Sequence, residues 1–361
     1  MIEPNALLDA QALLVKLIEC PSLSKEEHGT AQIIQSFFSE KKIPCSILQN
    51  NVWAKNLHFD PAKPTLLLNS HHDTVKPNSQ WTKDPFKATF EENKLIGLGV
   101  NDAGASLVCL ILTFTQLYHH SDLAFNLVIA ATAEEEISGK NGIELLLNDP
   151  QFPKIDAAIV GEPTDCQLAI AEKGLMVIDA KVTGKAGHAA RNEGINAIYI
   201  GMEDILRIKN YTFDKTSDLL GPVKCSVTIA NGGSQHNVVP DSFEYTIDCR
   251  VNECYTLQEV LEILQKLVQA TLTPRSVRLN SSKMDIQHPI VKAAQKLNLN
   301  TFGSPTLSDQ ALIPCPSVKI GPGHSGRSHT ADEFIYLHEL AQGLETYLSL
   351  LLESNVQYLN S

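Results

Sequence analysis

The residues best suited to chemistry stand at the ends of apolar runs. TLLLNS, at 65–70, delivers His71 and Asp73; LVIAATA leads into Glu134, Glu135 and Glu136; AAIVG delivers Glu162; SVKIGPG is followed by a loop reaching His329. Each run reads as a buried strand. In open α/β sheets ligands gather where loops leave the carboxyl ends of the strands, so this shared placement is the informative signal. Asp102, in GLGVNDAG ahead of a long apolar stretch, suits an N-terminal cap or a ligand aimed out of a turn.

Two neutral imidazoles and three carboxylates make a site of borderline hardness, fit for zinc, cobalt or manganese rather than for calcium or an iron–sulfur cluster. If one carboxylate is shared, five side chains can hold two ions ~3.5–4 Å apart and leave room for water. The acidic triplet bears on the same point, because two like charges ~4 Å apart repel by roughly 4 kcal/mol at an effective dielectric near 20. Either the triplet lies on the surface at a helix start, or something cationic sits against it. In the second case one of two consecutive glutamates binds metal and the other is free to act as a base. Taken singly, each of these acids and histidines is more simply read as a surface or structural residue. Three near-motifs fail: GLGVND puts Asp102 where a dinucleotide fingerprint needs glycine, GHSGR puts Arg327 where a nucleophile elbow needs glycine, and SGKNG lacks phosphate-loop spacing.

The positioning elements follow from periodicity. Strands at 65–70, 123–133 and 156–160 alternate with helices at about 105–120 and after Ser138, which implies a mixed or parallel sheet with helices on both faces. After Gly174 the texture changes: MVIDAKVTG, CSVTIANGG and SFEYTIDCRV alternate as half-exposed strands do, with helices at about 195–209 and 257–272. The helical pattern returns at HPIVKAAQKL, and CPSVKIGPG reads as a further core strand. The expectation is an α/β catalytic domain over 1–175 and 286–361, interrupted by an α+β domain over 176–285.

A net charge of -12 disfavours nucleic acid or an anionic membrane as partner. The N-terminal stretch reads as an amphipathic helix rather than a secretory signal, the apolar stretch near 107–117 as too short to span a bilayer, and the eight cysteines, none in a CxxC pair, as free thiols. The default is a cytoplasmic protein with a small-molecule substrate.

The motifs in order, SHHDTV, WTKDPF, KLIGLGVND, TAEEE, GEPT, GKAGHAARNEGINAI, NVVPD with DCR, and SHTADEF, span nearly the whole chain. Together they resemble the metallopeptidases and deacylases that include acetylornithine deacetylase, succinyl-diaminopimelate desuccinylase, aminoacylase and glutamate-releasing carboxypeptidase. The resemblance implies a mixed-sheet di-zinc exopeptidase-like domain with an inserted lid and dimerisation domain. It also implies two divalent ions, zinc first and cobalt second: His71, Asp102 and Glu162 on one, Asp102, Glu136 and His329 on the other. By the same resemblance Asp73 orients His71, Glu135 is general base and acid, His188 assists the oxyanion, and Asn237 and Arg250 hold the substrate carboxylate. The family's apolar residue, Lys and Gly after the bridging acid are replaced here by Ala103, Gly104 and Ala105. The implied activity is removal of an N-acyl group from an amino acid such as N2-acetylornithine or N-acetylcitrulline, in arginine biosynthesis, by a homodimer. A dipeptidase or aminoacylase, an N-succinyl desuccinylase, and a non-catalytic metal-binding protein are the alternatives.

Overall fold

The computed structural model describes residues 5–359, which divide into two compact units. The first comprises 5–170, 283–302 and 308–359; the second comprises 171–282 and 303–307. These divisions fall a few residues from 175/176 and 285/286, and 303–307, expected in the first domain, falls with the second unit.

In the first unit Asn126–Thr132, Thr65–His71, Ala157–Gly161 and Ser317–Ile320 lie side by side, all parallel. Their registers set His71 opposite Thr132 and Ile320 opposite Gly161, so the four strands finish at one edge. Leu, Val, Ile and Ala fill these strands and both faces are buried, as a parallel sheet requires. One face carries Leu67, Val128, Ala130, Ala158 and Val160 against Ile143, Leu146 and Phe152. The Ala105–Leu117 helix covers the other; it is apolar on nearly every side and correspondingly buried.

The stretch Val100–Leu117 is long and apolar enough to cross a membrane by length and composition, and 83% of it is buried inside the protein, as in a core helix. The helix expected after Ser138 is only Ile143–Leu147. A three-stranded antiparallel ribbon sets Phe334–Tyr336 against Lys94–Ile96, with Thr89–Glu91 outside. It ties the segment after His329 to the segment before Asp102.

The second unit is an antiparallel sheet in the order Lys224–Gly232, Ser242–Val251, Gly174–Thr183, Thr271–Pro274. Strict alternation along Gly174–Thr183 turns Met176, Ile178, Ala180 and Val182 toward the helices Ala197–Asn210 and Leu257–Leu267. The second helix starts at a capping box, in which Thr256 and Glu259 satisfy each other's backbone amides. It ends at Leu267 rather than near 272, because Val268 turns extended and Thr271–Pro274 is taken up as an edge strand. Gly187–His188 pairs with Val238–Val239, and the Ala189 amide donates to the Asn237 carbonyl, so His188 and Asn237 lie together.

Candidate metal centre

His71 is the last residue of its strand and is almost wholly buried. Its Nδ1 faces the Asp73 carbonyl at 3.0 Å, with the Asp73 carboxylate 3.4 Å away, an arrangement that leaves Nε2 to point outward as an acceptor. That Nε2 is buried without a hydrogen-bond partner. Around it stand Asp102 Oδ1 at 3.4 Å, Glu135 Oε2 at 3.9 Å and Glu162 Oε1 at 3.8 Å. A buried imidazole nitrogen without a donor, encircled by three acids, is a setting that suits a cation.

The Glu134–Glu136 triplet follows its strand as a left-handed residue and a short 3-10 turn, which resolves the crowding by sending each acid elsewhere. Glu134 folds back onto Asn141, accepting from its side chain at 2.8 Å and its backbone at 3.3 Å. Glu135 turns toward His71, and Glu136 meets His329 Nε2 at 3.0 Å. The same imidazole nitrogen lies 3.6 Å from Asp102 Oδ2. Asp102 therefore presents one oxygen to each histidine. His71, Asp102 and Glu162 form one group whose ligand atoms lie within 4.8 Å of one another; Asp102, Glu136 and His329 form a second. Nitrogen and oxygen donors in threes match the three protein ligands plus an open position of catalytic zinc sites.

The electrostatics point the same way. Burial drives the Glu135 carboxyl well above the usual carboxylate range; His71 pulls it back, and the Glu162 charge adds to the rise. Burial, then the Asp102 charge, raises Glu162 likewise. Burial works against the charged form of Asp102, yet His71, Ser328 and His329 together hold its carboxyl below the ordinary value. Burial works against the charged form of His71, yet Glu135, Asp102, Asp73 and Glu162 together hold it well above its ordinary value. Contact with Glu136 brings His329 up to about 9. More acids than bases share this partly buried space, an imbalance that divalent cations correct.

Beside Asp73, which the sequence already pointed to, Glu27, Asp309 and Glu333 are positioning residues that were not legible in it. Asp73 accepts the Glu135 and Glu136 amides and the Ser24 hydroxyl. Buried Glu27 receives the Glu134 amide at 3.2 Å and Asn50 at 2.7 Å. Buried Asp309 accepts from Asn69 and Thr132, which stand on adjacent strands. Glu333 takes the Gly99, Asn101 and Asp102 amides; burial and the Asp102 charge push its carboxyl up to about 8 against the pull of those donors. Gly99 is left-handed (φ 72°), and a Cβ there would meet Thr74 Cγ2 at 2.5 Å, so this tight turn requires glycine. His72, next to His71, faces the opposite way and bonds Thr30 and the Asn50 carbonyl.

In the second unit His188 is exposed, with Nδ1 accepting the Ala190 amide. Arg250 is held in a two-point contact by Asp248, at 2.9 and 3.1 Å. Arg327, in the first unit, is likewise engaged, paired with Glu339 at 2.6 and 2.9 Å and lying over the Phe334 and Tyr336 rings.

Comparison with known proteins agrees with this geometry. Residues 67–353 match the family described as Peptidase family M20/M25/M40. The acetylornithine deacetylase of Proteus mirabilis (strain HI4320) is 30% identical over 294 residues, 75% of this chain and 74% of that one. A succinyl-diaminopimelate desuccinylase of Wolbachia pipientis wMel is 26% identical over 341 residues, 87% and 85% of the two chains. Among solved structures, an M20 metallo-carboxypeptidase of Sulfolobus solfataricus has a TM-score of 0.75 at 18% identity, covering 96% of this chain and 99% of its own. A dinuclear metal binding M20 peptidase of Bacillus subtilis has a TM-score of 0.73 at 18% identity, covering 97% and 98%. With two overlapping triads of candidate ligands and a family match over most of its length, the chain belongs to peptidase family M20/M25/M40 and is a metal-dependent hydrolase.

Proposed function

We propose that the chain hydrolyses the linear amide of a small N-acyl amino acid, with N2-acetylornithine or N-acetylcitrulline as the first substrates to test, as part of cytoplasmic arginine biosynthesis. The observation that carries the reaction type is Glu135, a part-buried carboxylate in neither candidate ligand triad whose Oε2 lies 3.9 Å from His71 Nε2. His71, Asp102 and Glu162 would hold one ion and Asp102, Glu136 and His329 the other, zinc first and cobalt second, with Asp102 shared. Bound divalent ions supply Lewis-acid polarisation of the amide carbonyl and a more acidic water.

The protein's own part is proton management. Glu135, with affinity for protons raised by burial, takes one from the attacking water at its carboxylate and returns it to the departing nitrogen. Asp73, through the Glu135 and Glu136 amides, keeps the first glutamate free and the second on His329. Burial of His71 and Asp73 makes their charges count for more. From the second unit we assign His188 to the oxyanion and Asn237 and Arg250 to the substrate carboxylate. The close pairing of His188 with the Asn237 strand supports a joint role, and the planar fork of Arg250, already two-point bound by Asp248, is the right shape for a carboxylate.

Self-association is part of this reading. Tyr199, Met202 and Leu206 recur along one side of the Ala197–Asn210 helix at 69%, 53% and 53% exposure, and the neighbouring strand Lys224–Gly232 is a free sheet edge with Ile229 exposed. A homodimer through this unit would cover both the apolar stripe and the unpaired edge.

A second reading, removal of an N-succinyl group, is favoured by one observation: the desuccinylase relatives align over more of the chain than the deacetylases do. Activity against N2-acetylornithine, N-acetylcitrulline, an N-succinyl amino acid and a dipeptide panel, with zinc or cobalt supplied, separates the readings. Fastest turnover of a dipeptide would replace deacylation by peptidase activity. Metal uptake with no turnover of any of them would leave a non-catalytic metal-binding protein.

A further inference from the structure

We infer that Glu333 is a positioning residue that fixes the shared ligand Asp102 relative to His329, and so sets the affinity for the ions; the inference rests on the metal-centre reading given above.

Three observations converge on it. The first is the hydrogen bonding: Oε1 accepts the amides of Asn101 and Asp102 at 2.8 and 2.9 Å, and Oε2 accepts that of Gly99 at 3.1 Å. One side chain thereby satisfies three donors of a single tight turn. The second is placement. Glu333 is 2% exposed and its own carbonyl accepts the Gly97 amide at 3.0 Å, while the Phe334–Tyr336 strand after it pairs with Lys94–Ile96. Backbone and side chain therefore grip the same segment, Gly97 to Asp102, on both sides of Gly99. The third is sequence distance, since His329 stands four residues upstream, in a left-handed conformation at the end of the same short connection.

The next residue back extends the hold. Asp332 accepts the Thr82 and Lys83 amides and the Thr82 hydroxyl, so two consecutive acids fasten two separate turns to the His329 connection. Only Glu333 reaches the turn that carries a candidate ligand. Asp102 donates its own amide to Glu333 and offers Oδ1 toward His71 and Oδ2 toward His329. A shift of that amide moves both oxygens together, which disturbs both triads through one atom chain. Among the described residues the three amides point at one carboxylate, and replacing it by anything shorter leaves them without that acceptor.

The test uses the full chain, stripped with chelator and titrated with zinc in competition with a chromophoric chelator, and separately with cobalt(II) read by its visible absorption. Glu333→Ala should weaken at least one of two bound ions by about 10- to 100-fold, the range found when groups that orient metal ligands are removed. Because that variant leaves three orphaned amides and can fail to fold, Glu333→Gln is the deciding one. Its single carboxamide oxygen can still accept from Asn101 and Asp102, whereas its NH₂ must face the Gly99 N–H. A folded Glu333→Gln chain, checked by circular dichroism, is expected to bind less tightly than wild type by roughly 3- to 10-fold and to show an altered cobalt spectrum.

Wild-type affinity for both ions with an unchanged cobalt spectrum in that variant overturns the inference. So does a loss confined to the melting temperature of the metal-free chain, which is what a merely structural carboxylate would give. A wild-type chain that takes up no zinc or cobalt at all is a different failure. It would remove the metal-centre reading itself.

Discussion

The carboxylate of Asp73 accepts the Glu135 amide at 3.0 Å while standing 3.4 Å from His71 Nδ1, so one acid sets both a ligand's orientation and the start of the turn that carries the proposed base. The Ser24 hydroxyl, at 2.7 Å, holds it in place. Asp73→Asn keeps the shape but turns an NH₂ toward groups that are donors. The expected result is a 10- to 100-fold drop, on the order found for comparable supporting groups, in metal affinity or kcat/KM. Metal titration alongside steady-state kinetics checks it, and unchanged values in both would leave Asp73 with no part in the site.

Glu135 is the candidate that stands outside both triads. Glu135→Gln should therefore keep the metal content of the wild type and lose turnover by about 10²- to 10⁴-fold, the usual contribution of a positioned acid–base group. Elemental analysis and kcat on the best substrate give the two numbers. Turnover at the wild-type rate would assign the proton transfer elsewhere.

Asp102 supplies an oxygen to each histidine, so its loss should be felt by both ions rather than one. For Asp102→Ala the expectation is less than one tightly held ion per chain after gel filtration. Glu136→Ala, which removes a group from the second triad alone, should retain the ion of the first. Two ions retained in Asp102→Ala would exclude a shared carboxylate.

The metal-free protein should carry a pH signature from Asp309. Burial pushes its carboxyl up to about 6, although Asn69 and Thr132 both donate to it. The folded state thus keeps this proton at a pH where the unfolded chain, near 3.8, has released it. Its contribution to stability is full below the unfolded value and is lost as pH rises through about 6, a change of roughly 3 kcal/mol at ~1.4 kcal/mol per pH unit. Asp309→Asn preserves an oxygen acceptor and removes the titration. Urea unfolding at pH 4 and pH 7 should show the wild type losing stability relative to the variant on the alkaline side; a constant difference would mean that Asp309 ionises normally.

What the sequence by itself determined is the set of chemical endpoints. Apolar runs that must be buried strands end next to His71, Glu135, Glu136 and Glu162, and parallel pairing can only deliver such ends to one edge. Alternation in the second unit was legible for the same reason: side chains on a one-sided sheet must obey a period of two. What only the tertiary structure decided is how those endpoints are held. Glu27, Asp309 and Glu333 serve by accepting hydrogen bonds from residues 107, 240 and at least 231 positions away in the chain, and no local pattern marks an acid for that use. The end of the Leu257 helix at Leu267 was also settled by a partner strand the chain meets only when folded. Hydrophobic periodicity is a local property, whereas satisfying a buried polar group depends on which distant backbone arrives beside it.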